Sequence, residues 1–126
     1  MAQILLCEDD KLIARIIGKI LDNQKHQIKI VSNGTEAIEE LKKDHYDLVI
    51  TDMIMPGFSG LDVVRFIRRQ LRSRCPILLM SGLSDKEFIR KAKKVGTTDF
   101  ISKPVNIDIL KRKVAHLISY SEEIEI

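Results

Sequence analysis

Leu48-Val49-Ile50-Thr51-Asp52-Met53-Ile54-Met55-Pro56-Gly57 is the stretch that decides how this chain folds. Its opening run of apolar residues is too short for a helix and suits a strand buried on both faces. The run stops on a carboxylate, and the Pro56-Gly57 turn that follows exposes that carboxylate at the strand end. Working outward, Ile4-Leu5-Leu6-Cys7 and Ile77-Leu78-Leu79-Met80 repeat the pattern and read as further central strands. Ile28-Lys29-Ile30-Val31 and Asp99-Phe100-Ile101-Ser102 carry polar residues and read as edges.

Helical spacing fills the intervals. Leu12, Ile13, Ile16, Ile17, Ile20 and Leu21 form one stripe, and Ile107, Leu110, Val114, Leu117 and Ile118 form another. Shorter stripes run through Ala37, Ile38 and Leu41, through Leu61, Val64, Ile67 and Leu71, and through Phe88, Ile89, Ala92 and Val95. Ser59 with Asp62 and Ser84 with Glu87 have capping-box spacing, and Gly96 suits a helix C-terminus. Strict alternation of strand and helix predicts parallel strands joined by right-handed crossovers. The expected fold class is α/β: a flavodoxin-like, doubly wound, five-stranded parallel sheet of order 2-1-3-4-5 built from five βα units. A barrel of eight such units does not fit in 126 residues. One domain is expected over residues 1–120, with 121–126 as a frayed C-terminal tail or the start of a connection.

Composition narrows the function classes. Hydrophobic residues at 44% and charged residues at 31% are ordinary for a soluble domain, and no apolar run is long enough to span a membrane. Lacking a signal-like N-terminus, the chain is expected in the cytoplasm. Cys7 and Cys75 sit in or beside apolar runs and read as small core residues. A net charge of +3 gives no case for direct nucleic-acid binding. Arg65, Arg68, Arg69, Arg72 and Arg74, like Lys91, Lys93 and Lys94, read as solvated helix faces; His26, His45 and His116 read as surface residues.

In sheets of this kind ligands bind beyond the carboxyl ends of the strands, near the switch in strand order. Those ends carry Glu8-Asp9-Asp10, Thr51-Asp52, Ser81-Gly82 and Ser102-Lys103-Pro104. Strands one and three are neighbours in the expected order, so at least three carboxylates converge. Clustered acids repel unless a cation holds them, and an all-oxygen set with few carboxylates suits Mg²⁺. Asp10 immediately precedes a helix and reads as its N-cap, which leaves Glu8, Asp9 and Asp52 for the metal. Asp52 is also placed to act as a nucleophile and form an acyl phosphate. Lys103 and Ser81 then supply a charge and a hydroxyl for the phosphoryl oxygens.

Glu8-Asp9, Asp52-Met53-Ile54-Met55-Pro56 with Gly60, Ser81, and Lys103-Pro104 together make the sequence closely resemble the receiver domains of response regulators, from Ile4 to Ile118. The resemblance implies that Asp52 is the phosphoacceptor, that Asp9 binds Mg²⁺ directly and Glu8 through water, and that the Ile54 backbone carbonyl is a further ligand. It implies that Ser81 follows the phosphoryl group while Lys103 pairs with it, that Phe100 is an aromatic switch, and that the Lys103–Pro104 bond is cis. The expected partners are a sensor histidine kinase or histidine phosphotransfer protein as donor and a downstream output domain or protein. Signal would leave through the face of helix four, strand five and helix five, which is also where a homodimer would form. The chain is then a phosphorylation-activated switch, an enzyme only toward its own acyl phosphate.

Ile54 and Leu83 depart from the commoner polar pattern around such sites, and two apolar groups there imply a long-lived phosphorylated form. The chief rival is a phosphohydrolase of the haloacid dehalogenase type. That family's second aspartate, two residues past the nucleophile, is replaced here by Ile54, which transfers no proton. A nucleotide-binding reading lacks a GxxxxGK[ST] loop, and the turn after the first strand is acidic.

Overall fold

The computed structural model describes residues 2–82 and 86–124. Five parallel strands form one sheet: β1 (Gln3–Cys7), β2 (Gln27–Val31), β3 (Leu48–Asp52), β4 (Ile77–Ser81) and β5 (Asp99–Ser102). Their order is β2-β1-β3-β4-β5, as the alternation of elements requires. Five helices alternate with them: α1 (Lys11–Asn23), α2 (Gly34–Lys43), α3 (Gly60–Arg65), α4 (Lys86–Val95) and α5 (Ile107–Ile124).

Side chains alternate across the strands, so each continuous apolar run feeds two layers of core. Ile4, Leu6, Leu48, Ile50, Leu78 and Met80 pack with Ala14, Ile17 and Leu21 of α1 and Leu110, Val114 and Leu117 of α5. Leu5, Cys7, Val49 and Ile77 face the other way, onto Ala37 and Leu41 of α2 and Val63 and Val64 of α3. Burial on both faces is why β3 and β4 hold no exposed residue. The polar edges behave as expected, with Gln27, Lys29 and Ile30 of β2 open to solvent.

Start signals read in the sequence do their work. Asp10 caps α1, its Oδ1 accepting from the N–H groups of Leu12 and Ile13 at 3.0 and 3.1 Å. Ser59 and Asp62 form the reciprocal capping box at α3. Of the second capping pair, Ser84 lies outside the described residues, as does Leu83.

Four sequence readings need correction. The α1 stripe is wider than the face that is buried: Leu12 is 66% and Ile16 47% exposed. Ile13, Ile16, Ile17 and Ile20 instead line an apolar groove of about 240 Å³ with Pro104, Val105 and Ile107. The third stripe does not continue as one α-helix, because a π-helical turn, Phe66–Gln70, follows α3. The N–H of Leu71 reaches back five residues to the Phe66 carbonyl, and the turn rotates Leu71 off the core face, leaving it 39% exposed. Arg68, read as part of a solvated face, is folded inward and donates to backbone carbonyls. Finally, α5 runs four residues into the stretch read as a tail and buries Ser121.

Candidate functional site

β1 and β3 are hydrogen-bonded neighbours, Cys7 pairing with Thr51, so the residues that follow each of them emerge side by side. Glu8, Asp9 and Asp52 each bring a carboxylate oxygen to within 4.8 Å of the others. Their settings differ: Asp9 is exposed and Glu8 buried, and Asp52, which the Pro56-Gly57 turn was expected to expose, is buried as well. Such a set, all oxygen and open on one side, fits a hard divalent cation that retains water ligands.

The loop after β3 is shaped by three backbone requirements. Gly57 has φ +79°, a left-handed conformation that side chains disfavour. Gly60 donates its N–H to the Met53 carbonyl at 2.8 Å, and a Cβ there would collide with the Asp52 carbonyl. The start of α3 therefore closes directly over the end of β3. Met55 turns back into the core, while Ile54 projects outward and is 71% exposed.

On the other side, the sheet pairing continues past β5, the Lys103 N–H donating to the Ser81 carbonyl at 3.0 Å. The Lys103–Pro104 peptide is cis. From that position the Lys103 ammonium reaches across two strands and donates to Asp52 Oδ2 at 2.7 Å and to Glu8 Oε1 at 2.9 Å. The sequence suggested a lysine reserved for a phosphoryl group. In the structure that lysine bridges two acids, which spacing alone does not reveal because the three residues lie 95 positions apart at their extremes.

Charge at the site is unevenly shared. Burial pushes the Glu8 carboxyl up to about 7, against the opposing bond from Lys103. Burial also pulls the Lys103 ammonium down, but its bonds to Asp52 and Glu8 outweigh this and its pKa is raised. Lys103 therefore stays charged, and Glu8 is the group whose protonation changes near neutrality. The reason is geometric: one ammonium serves two carboxylates, and Glu8 is the more deeply buried of them, at 1% exposure.

The remaining candidates lie on several elements, and His26, read as a surface residue, is half-buried. Ser81 is buried at the tip of β4, next to β3 in the sheet. Phe100 is half-buried and packs against Leu61, Leu79 and Ala92, a cluster that Phe88 also packs on. Cys7 lies below the site, and burial pushes its thiol up to about 12, so it is a core residue and no nucleophile. His45 and His116 are exposed. His26 is half-buried, its Nδ1 accepting from the Ala2 N–H at 3.2 Å.

The open α/β sheet thus carries an acid cluster at its switch point and a lysine that bridges two of the acids. Residues 4–115 match the family model of the response regulator receiver domain, and the chain belongs to that family. It is 33% identical over 119 residues to the regulatory protein VanRB of Enterococcus faecalis, covering 94% of this chain and 53% of that protein. It is 30% identical over 115 residues to a cyclic di-GMP phosphodiesterase of Thermotoga maritima, covering 91% of this chain and 30% of that protein. The chain thus spans about half or less of the length of these curated relatives. Among solved structures, the receiver domain of the Francisella response regulator 1452 superposes with a TM-score of 0.91 at 26% identity, covering 96% of this chain and 99% of that one. The chemotaxis response regulator CheY4 of Vibrio cholerae gives 0.87 at 26% identity, covering 93% and 98%. No helix among the described residues is long and apolar enough to cross a membrane.

Proposed function

We propose that this receiver domain, acting in the cytoplasm, accepts a phosphoryl group on Asp52 from a phosphohistidine of a sensor kinase or phosphotransfer protein. The observation that carries the reading is the double bridge of Lys103 to Glu8 and Asp52 beside the exposed carboxylate of Asp9. An Asp52 oxygen attacks phosphorus, the P–N bond breaks as the O–P bond forms, and the departing imidazole keeps the electron pair. Asp9 and Asp52 would hold Mg²⁺ directly, with Glu8 through water and the Ile54 carbonyl as a further ligand. Bound there, the ion supplies positive charge to the phosphoryl oxygens.

The chain's own groups do the rest. Lys103 neutralises Asp52 in the resting state and is placed to move its ammonium onto a phosphoryl oxygen. The Ser81 hydroxyl donates to a second oxygen, and Phe100 follows it inward, shifting the face of α4, β5 and α5 toward its active population. That face then meets the output partner or a second copy of the chain. Ile54, two residues past Asp52, would restrict water at the acyl phosphate and prolong its life.

Incubation with acetyl phosphate and Mg²⁺ followed by intact-mass measurement tests the reading. One phosphoryl mass is expected on the wild type and none on Asp52→Asn. No gain on the wild type, or an equal gain on the variant, removes Asp52 from this role.

A further inference from the structure

The amino ends of β4 and β5 are joined by a partly buried cation that no part of the phosphoryl chemistry uses. Arg68 leaves the π-turn and spreads its donors over two connections, the one leading to β4 and the one leading to β5. Nη1 donates to the carbonyls of Ser73 and Cys75, at 2.9 and 2.7 Å, in the connection leading to β4. Nε donates to the Gly96 carbonyl at 3.0 Å, just past α4, and Nη2 to Thr98 Oγ1 at 3.2 Å, just before β5. Thr98 Oγ1 also accepts from the Ile77 N–H at 2.9 Å, which ties the first residue of β4 to the same point.

Gly96 is fitted to this cation twice over. Its φ of +120° is one that side chains rarely adopt, and a Cβ there would lie 2.7 Å from Arg68 Cγ. The arginine stem therefore packs on the glycine while its head fixes the glycine carbonyl. α4 itself is lightly held, burying Ala92 alone among its described residues, with Phe88, Ile89 and Val95 half-buried. A helix with so little buried surface is free to shift wherever it is not pinned.

We propose that Arg68 is the fixed pivot of α4. It pins the carboxyl end of the helix and the start of β5 to the α3–β4 connection, so that α4 moves at its amino-terminal end, the end that follows Ser81. All the acceptors named are neutral oxygens that do not titrate near neutrality, so a change of pH does not release them, and guanidinium keeps its charge throughout. The role of the pivot in signalling rests on the reading of Asp52 given above; the clamp itself does not.

Amide hydrogen exchange on the full chain separates the two. In the unphosphorylated wild type, Thr97 and Thr98, whose N–H groups donate to Ala92 and Ile77, should exchange more slowly than the first turns of α4. After acetyl phosphate and Mg²⁺, exchange should change in those first turns and stay within twofold at Thr97 and Thr98. Arg68→Met keeps the stem over Gly96 and deletes every donor. It should raise exchange at Thr97 and Thr98 at least tenfold, leave α1 and α2 unchanged, and take up phosphoryl mass as the wild type does. If that variant does not fold, Arg68→Lys should give a smaller rise at the same two amides. Unchanged protection at Thr97 and Thr98 in the variant overturns the clamp, as does a rise spread evenly over the chain. A phosphorylation-induced change centred on residues 96–98 overturns the pivot. A wild type that takes up no phosphoryl group defeats the reading of Asp52, and the unphosphorylated exchange pattern then judges the clamp by itself.

Discussion

The two ends of the sheet each hold a partly buried cation, and they use it in opposite ways. At the carboxyl ends of the strands, Lys103 is bound by two carboxylates, Glu8 and Asp52. At the amino ends, Arg68 is bound by three backbone carbonyls and a hydroxyl. The partners of Lys103 carry charge that an added phosphoryl group or a proton changes, whereas the partners of Arg68 are neutral and do not titrate. The first end is thus suited to a signal that arrives as charge, and the second to staying still while it does.

The sharpest test of this contrast falls on the quiet end. Gly96→Ala should cost about 3 kcal/mol, adding left-handed strain to overpacking against Arg68. Urea denaturation measures it, and a loss below about 1 kcal/mol would mean that Arg68 yields easily and the end is not rigid.

At the signalling end a substitution should stabilise. Glu8 is buried with its carboxyl raised from 4.5 to about 7, so the folded chain holds a proton that the unfolded chain releases. The stabilisation from that proton is fully present below pH 4.5 and is lost as pH rises through about 7. Glu8→Gln should therefore make the metal-free chain more stable at pH 8, by on the order of 2 kcal/mol, with little gain at pH 5. Added Mg²⁺ should raise the denaturation midpoint of the wild type more than that of the variant. Equal gain at both pH values would mean that Glu8 is not held as the geometry implies.

Two smaller effects lie at the amino ends. Lys25, just past α1, has φ +67°, and Lys25→Gly should add roughly 0.5 kcal/mol by relieving that conformation, with calorimetry as the check. His26 accepts a hydrogen bond at Nδ1, and burial lowers its pKa from 6.5. Its contribution is present above pH 6.5 and is lost as pH falls through the folded value, the reverse of Glu8. Comparing wild type and His26→Gln between pH 7.5 and 5.5 isolates it; a wild type that loses no more stability than the variant would discount the bond.

Much of this was legible in the residues themselves. Apolar runs of three or four that lead to Glu8, Asp52 and Ser81 dictate buried parallel strands with their chemistry at the tips, because only a sheet covered on both faces rewards unbroken hydrophobicity. Asp10 and Ser59 announced the helices that they cap, since capping is a local bond spanning two or three residues. What the sequence could not decide is contact between distant positions and the exposure that follows from it. Leu12 and Ile16 look like core, yet the sheet is already filled by Ala14, Ile17 and Leu21. Arg68 looks like surface, yet the π-turn and the missing side chain of Gly96 open a place for it 28 residues away. Lys103 bridges Glu8 and Asp52 only because β5, β1 and β3 end at the same edge. Local pattern fixes which residues must be buried together; the packing of helices on the sheet decides which cation meets which partner, because that depends on the space left after the core has closed.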